Sequence, residues 1–148
     1  MRATGGVTVL EAVATLALLA FLLAVALPNL LPSPELEARV TAREVAADAS
    51  LARQLAVSRG TTYLLEFRPP GGPYRSYTVR ADGGPEEPGF PKDLPANVQV
   101  TGPEVIPFLP SGAAKLDSPQ VEVIFTGGAA VATLRVLQAT GYARVDPP

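Results

Sequence analysis

Gly6-Val7-Thr8-Val9-Leu10-Glu11 opens an apolar run that continues to Leu27, and this stretch decides how the chain is read. From Val7 to Leu27 the run has about 21 residues and one charge, Glu11. At about 1.5 Å per helical residue it reaches roughly 30 Å, the thickness of a bilayer's hydrocarbon core. Only Met1 to Gly6 precede it, with Arg2 their single charge. The pattern predicts a short polar leader joined to a membrane-spanning helix, with a carboxylate just past the junction.

That carboxylate needs an explanation. An acidic side chain near the centre of a spanning helix costs about 2.5–3.5 kcal/mol on insertion scales, and less about one turn from the end. Glu11 is either tolerated near the interface or present to be paired. If the chain is cut after Gly6, Val7 gains a cationic amine, and a neighbouring subunit's amine can then neutralise Glu11.

Gly6, Val7, Thr8, Val9, Leu10 and Glu11 together resemble the type IV prepilin signature: Gly, the cut, a hydrophobic residue, Thr, two apolar residues, Glu. Pro28 falls where pilins commonly carry a helix-kinking proline. Val7 departs from the usual Phe. The resemblance implies cleavage between Gly6 and Val7 by a separate membrane aspartyl peptidase, the prepilin peptidase, and N-methylation of Val7. It also implies that Glu11 pairs with the Val7 amine of a neighbour during filament assembly. The implied partners are the peptidase, other pilins or pseudopilins met through the N-terminal helix, and an inner-membrane assembly platform.

The chain's 148 residues have room for this helix and one further domain of about 110 residues, enough for a modest core. Net charge is −2, so no basic balance argues for bulk nucleic-acid binding. Cysteine and histidine are both absent, which removes any disulfide framework and the commonest general base and metal ligand. Ala24-Val25-Ala26 satisfies the small-x-small pattern of a secretory cleavage site. Against that reading stand the length of the run, Glu11 within it and Pro28 just beyond.

Pro28, Pro32 and Pro34 predict a kink or short break. Ser33 then reads as an N-cap, Pro34 as the first helical residue, and Glu35 and Glu37 sit well near the positive helix end. A second helix is expected from about Pro34 to Arg59, closed by Gly60. Ala38, Ala42, Val45, Ala49, Ala52 and Ala56 make one small-residue stripe, and Leu36, Val40, Leu51 and Leu55 widen the apolar surface. Arg39, Arg43, Glu44, Asp48 and Arg53 are expected to face solvent.

From Thr61 the chain turns to strands: 61–68 and 74–80 around a Pro69-Pro70-Gly71-Gly72-Pro73 hairpin loop, then 98–101, 105–109, 121–126, 131–138 and 142–145. Prolines 103, 107 and 110 confine the two middle strands to edges. Residues 81–97 read as a long, partly mobile loop, with Asp82, Glu86, Glu87 and Asp93 solvated and in no EF-hand spacing. Gly127-Gly128 and Thr140-Gly141 mark turns. Ser111, Lys115 and Ser118 read as chance neighbours in a Pro/Gly-bounded loop.

Ala52-Arg53-Gln54-Leu55-Ala56 at a helix end resembles the late helix of the GspH/FimT pseudopilins. Val123-Ile124-Phe125-Thr126-Gly127-Gly128 and 141–145 resemble their later strands. Some FimT-like members bind DNA through Gly-Arg-x-Arg near the C-terminus. Here Gly141-Tyr142-Ala143-Arg144 keeps the Gly and second Arg and replaces the first Arg by Tyr. Arg144, Tyr142 and Arg135 are the candidate DNA contacts, against the plainer reading of a solvated strand arginine.

The expected fold class is α+β: a pilin-like long kinked helix packed on an antiparallel sheet. Residues 1–6 form the leader, 7–27 the transmembrane or filament-core helix, 28–60 the kink and soluble helix half, and 61–148 the sheet domain. The expected role is a minor pilin or pseudopilin of a type IV pilus, DNA-uptake or type II secretion filament, with no enzyme site, cofactor or metal. It would be a single-pass inner-membrane protein with its C-terminal domain in the periplasm. The alternative is a membrane-anchored or secreted β-rich binding domain outside any filament.

Overall fold

A computed structural model describes residues 8–26 and 33–146. The chain divides into two compact units, Met1–Pro32 and Ser33–Pro148. The first holds helix α1 (Val9–Ala26). The second holds α2 (Pro34–Arg59) and strands β1 (Tyr63–Arg68), β2 (Ser76–Ala81), β3 (Lys92–Asp93), β4 (Gln99–Thr101), β5 (Val105–Phe108), β6 (Gln120–Gly127), β7 (Ala130–Leu137) and β8 (Ala143–Asp146). The kink expected at Pro28 and the cleavage site expected at Gly6 and Val7 lie outside the described residues.

Helix α2 begins and ends on the signals its sequence carries. The Ser33 hydroxyl accepts from Leu36 N–H at 3.2 Å, Pro34 occupies the first turn, and Glu35 and Glu37 face the positive helix end. Gly60 closes it in the left-handed conformation at φ 64°. All six residues of the expected stripe, Ala38, Ala42, Val45, Ala49, Ala52 and Ala56, are fully buried. Because most are alanines, backbone can approach closely. A Cβ on Gly127 would lie 2.1 Å from the Pro34 carbonyl oxygen, so the β6–β7 turn seats directly on the first turn of α2.

Three expectations about this helix need correction. Leu36, Val40 and Leu51 do not widen the buried surface; they lie on the opposite, exposed face. Asp48 is 8% exposed rather than solvent-facing. It stands three residues after Val45 and four before Ala52, on the flank of the buried stripe. Arg53 reaches across to donate from Nε to the Gly112 carbonyl at 3.0 Å.

The strands form two four-stranded antiparallel sheets, ordered β3-β2-β1-β5 and β4-β6-β7-β8, where one sheet was expected. The split arises at β4 and β5. Val100 pairs with Phe125 of β6, whereas Ile106 pairs with Leu65 of β1, so consecutive short strands join different sheets. Both are edge strands, and β5 carries Pro107, which an edge position tolerates. The β1–β2 hairpin closes through Arg75 N–H to the Arg68 carbonyl at 2.7 Å.

Helix α2 packs on strands of both sheets. The core it covers lies wholly within the second unit, from Ala38 to Ala143, with Tyr63, Phe67, Tyr77, Phe108 and Phe125 its largest fully buried side chains. Truncating one such ring to Ala typically costs about 3–5 kcal/mol. The expected loop over 81–97 is more ordered in its contacts than its composition implies. It contributes β3, buries Leu94, and returns Glu87 N–H to the Val79 carbonyl at 2.9 Å.

Candidate assembly site

Helix α1 opens on Thr8. Its hydroxyl accepts from Glu11 N–H at 3.2 Å, and its carbonyl accepts from Ala12 N–H at 3.0 Å. Thr8 is therefore the N-cap and Glu11 the third helical residue, where a carboxylate is favoured by the helix dipole. Thr15 bonds back to the carbonyls of Glu11 and Ala12 at 3.0 and 2.9 Å, so its hydroxyl is satisfied within an apolar helix.

Beyond that first turn α1 is apolar on every side. Val9, Leu10, Val13, Leu16, Leu18, Leu19, Phe21, Leu22 and Leu23 are all more than half exposed in the isolated chain. A helix apolar all round belongs in a membrane or among other helices. Among the described residues no helix is long and apolar enough to cross a membrane. The described part of α1 is 18 residues, a rise of about 27 Å. The ends of the expected span, Val7 and Leu27, lie outside the described residues.

The candidate DNA residues are brought together by register. Arg135 of β7 and Arg144 of β8 are direct cross-strand partners, and Tyr142, just before β8, is 55% exposed. Their charges are already answered. Arg135 donates to Glu122 at 2.7 Å and forms an ion pair with Asp146 at 2.6 Å, while Arg144 Nε lies 3.3 Å from Asp146. Glu122 raises the Arg135 pKa above its ordinary value, with Asp146 adding to it. Two cations and two carboxylates thus share one sheet face.

Two polar clusters were not legible as such in the sequence. At the first, Asp48 Oδ2 accepts from the Tyr77 hydroxyl and from Lys92 Nζ, each at 2.7 Å, and Lys92 also reaches Glu44 at 3.1 Å. Burial, and then Asp48, push the Tyr77 phenol far above its usual range. At the second, Arg59 bonds both Tyr63 and Glu87, and Tyr63 donates to Glu87 at 2.7 Å. Those bonds, from the Tyr63 hydroxyl first, hold the Glu87 carboxyl below its usual range. Nearby, Arg68 bonds Glu86 at 2.6 Å, so Glu86 and Glu87 are paired acids rather than solvated ones. Among the described residues no group of three or more acidic, His or Cys side chains is placed to hold a metal ion. Ser111 and Ser118 are occupied with backbone, Ser111 accepting from Ala113 N–H and Ser118 donating to the Gln120 carbonyl.

An apolar helix in one unit, and in the other a small-residue helix laid across antiparallel strands, define an α+β pilin-like subunit. The family model for type II transport protein GspH matches residues 41–141, more than half of the chain, and the chain belongs to that family. The fold is that of the type IV minor pilin FimU of Pseudomonas aeruginosa PAO1. One crystal structure of FimU superposes with a TM-score of 0.61 at 16% identity, over 74% of this chain and 92% of that one. A second crystal form gives 0.62 at 17%, over 75% and 89%. Comparison with curated proteins finds no match.

The family region explains the motifs that carried the resemblance. Ala52 and Ala56 are buried, and between them Arg53 ties α2 to the Gly112 carbonyl. Gly127 and Gly141 are required by close approach: a Cβ at Gly141 would meet the Gly112 carbonyl oxygen at 2.3 Å. Residues Gly6, Val7, Glu11 and Arg144 fall outside the matched range.

Proposed function

We propose that this chain is a minor pilin or pseudopilin, a structural subunit rather than an enzyme. Prepilin peptidase cuts it between Gly6 and Val7, and Val7 becomes N-methylated. The mature subunit waits in the inner membrane, anchored by α1 with its sheet domain in the periplasm. The assembly platform then passes it into a filament, where other pilins pack against α1 and Glu11 pairs with a neighbour's Val7 amine. The carrying observation is α1 itself, whose large apolar side chains point in every direction and whose single charge sits on its first turn.

The test is the intact mass and N-terminal residue of the protein from its native membrane fraction. A chain beginning at methylated Val7 supports the reading. One beginning at Met1 or Leu27 overturns it, in favour of an anchored or secreted domain outside any filament.

A second reading, DNA contact through Arg144, Tyr142 and Arg135, draws support from the cross-strand pairing of the two arginines beside an exposed tyrosine. Glu122 and Asp146 weigh against it, since DNA must compete with both for the guanidinium groups.

A further inference from the structure

Each sheet ends in two edge strands, and the unpaired N–H and C=O groups of an edge are a template for another chain unless the edge is blunted. Among the described residues three of the four edges are blunted by charge or proline. Strand β3 is Lys92-Asp93, β5 holds Pro107, and β8 holds Arg144 and Asp146. Strand β4 is Gln99-Val100-Thr101 and carries neither. Val100 is buried, with Gln99 and Thr101 exposed on either side of it. Open space borders this strand. Two adjoining clefts of about 310 and 320 Å³ run beside it, with Tyr74, Gln99 and Val100 in the walls of both. The facing wall is the chain entering β2. There Tyr74 packs its ring on Phe67, 5.3 Å between centroids, and donates from its hydroxyl to the Gly102 carbonyl at 3.1 Å.

Among the described residues, Arg75 is the one charged residue lining either cleft. It is exposed and forms no ion pair with another described residue. Glu104 does not line the clefts and already accepts from Gly71 N–H at 3.2 Å. The charge of the groove is therefore a single unanswered cation. We propose that this groove takes an extended, acidic segment of a partner protein, which adds to β4 as a further strand while one of its carboxylates meets Arg75. Main-chain bonds to the open edge supply the affinity, and the cation selects the segment. The proposal is independent of leader cleavage and filament entry, since every residue it uses lies within Ser33–Pro148.

The probes are end-blocked peptides: Thr-Val-Asp-Val-Thr, the same peptide with Lys in place of Asp, and the Asp peptide with every backbone nitrogen methylated. Each is titrated into the isotope-labelled full chain in detergent micelles, and binding is read from backbone amide shifts. The Asp peptide should shift the amides of Tyr74, Arg75 and Gln99–Thr101, and bind about fivefold more tightly than the Lys peptide. Arg75→Gln, at an exposed position, should erase that preference. The methylated peptide should not bind, because it has no N–H to give the edge carbonyls. Unmoved amides at Gln99–Thr101 with millimolar Asp peptide overturn the proposal. So does equal binding of the Asp and Lys peptides by the wild-type chain, or a preference that survives in Arg75→Gln. Binding of the methylated peptide as tight as that of its parent also overturns it, because side chains alone would then make the contact.

Discussion

The Tyr77 hydroxyl and the Asp48 carboxylate meet at 2.7 Å in the interior, joining α2 to β2. Lys92 of β3 binds the same carboxylate oxygen, also at 2.7 Å. A helix residue, a central strand and an edge strand are therefore held by one oxygen. Breaking one arm leaves the charge buried with fewer partners, which is costlier than never burying it.

Tyr77→Phe should lower the stability of the Ser33–Pro148 unit by about 1.5–3 kcal/mol, the range for a hydrogen bond to a charged group. Urea unfolding, with the slope unchanged, is the check. A midpoint equal to wild type would mean that Asp48 is solvated.

Gly127→Ala places a methyl group against the Pro34 carbonyl and the Ala38 methyl, 2.1 and 3.0 Å from their positions here. The turn must lift off α2, at a cost of about 2–3 kcal/mol. Thermal melting should drop well beyond the effect of alanine at Gly84, whose backbone is not in the left-handed region and whose nearest neighbour is a side-chain methyl at 3.1 Å.

Acid should weaken the unit through Glu87 and Glu66. Tyr63 and Arg59 lower the Glu87 pKa. Burial pushes Glu66 up, but Arg80 and Arg68 together outweigh it, so its pKa is lowered too. A carboxylate lowered in the folded state contributes stability above its unfolded pKa, about 4.3, and loses it as pH falls through the folded value. Stability should therefore be flat near neutrality and decline below about pH 4. Glu87→Gln should lose less than wild type between pH 5 and pH 2, in denaturant titrations at each pH.

Glu11→Ala should insert and be cut normally yet fail to enter filaments, because a neighbour's amine would be left unpaired in a low-dielectric site. Equal incorporation of variant and wild type, read from sheared filaments, would remove the pairing role.

Asp146→Ala frees Arg135 and Arg144 from a shared carboxylate. If the sheet face contacts DNA, the variant should bind duplex more tightly and with a steeper salt dependence than wild type, while Arg144→Ala reduces the slope by about one. No salt-dependent binding by any of the three would remove DNA from the reading.

Helix α2 was almost wholly legible because its signals are local. Ser33 and Pro34 start it, Gly60 stops it, and a four-and-three spacing of small residues marks the buried side. Seven of the eight strands were legible to within a residue or two for the same reason, since alternation and Gly/Pro punctuation are properties of short windows, whereas the two-residue β3 lay in a stretch read as loop. The partition into two sheets was not, because it turns on which distant strand β4 and β5 each find, and edge strands three and four residues long carry little register information. The fate of the charged residues was hidden likewise. Asp48, Arg53, Glu86 and Glu87 all read as solvated, and each is bonded to a group far along the chain.

The sequence alone determined that an apolar N-terminal helix with one acid precedes a small-residue helix and an antiparallel β region, because period, caps and breakers act over a few residues. Only the tertiary structure decided that Gly127 and Gly141 are needed for close approach, that Asp48 anchors three elements, and that Arg135 and Arg144 stand side by side with their charges met. Those outcomes depend on distances between residues far apart in the chain, and such distances are set by packing, which no local window contains.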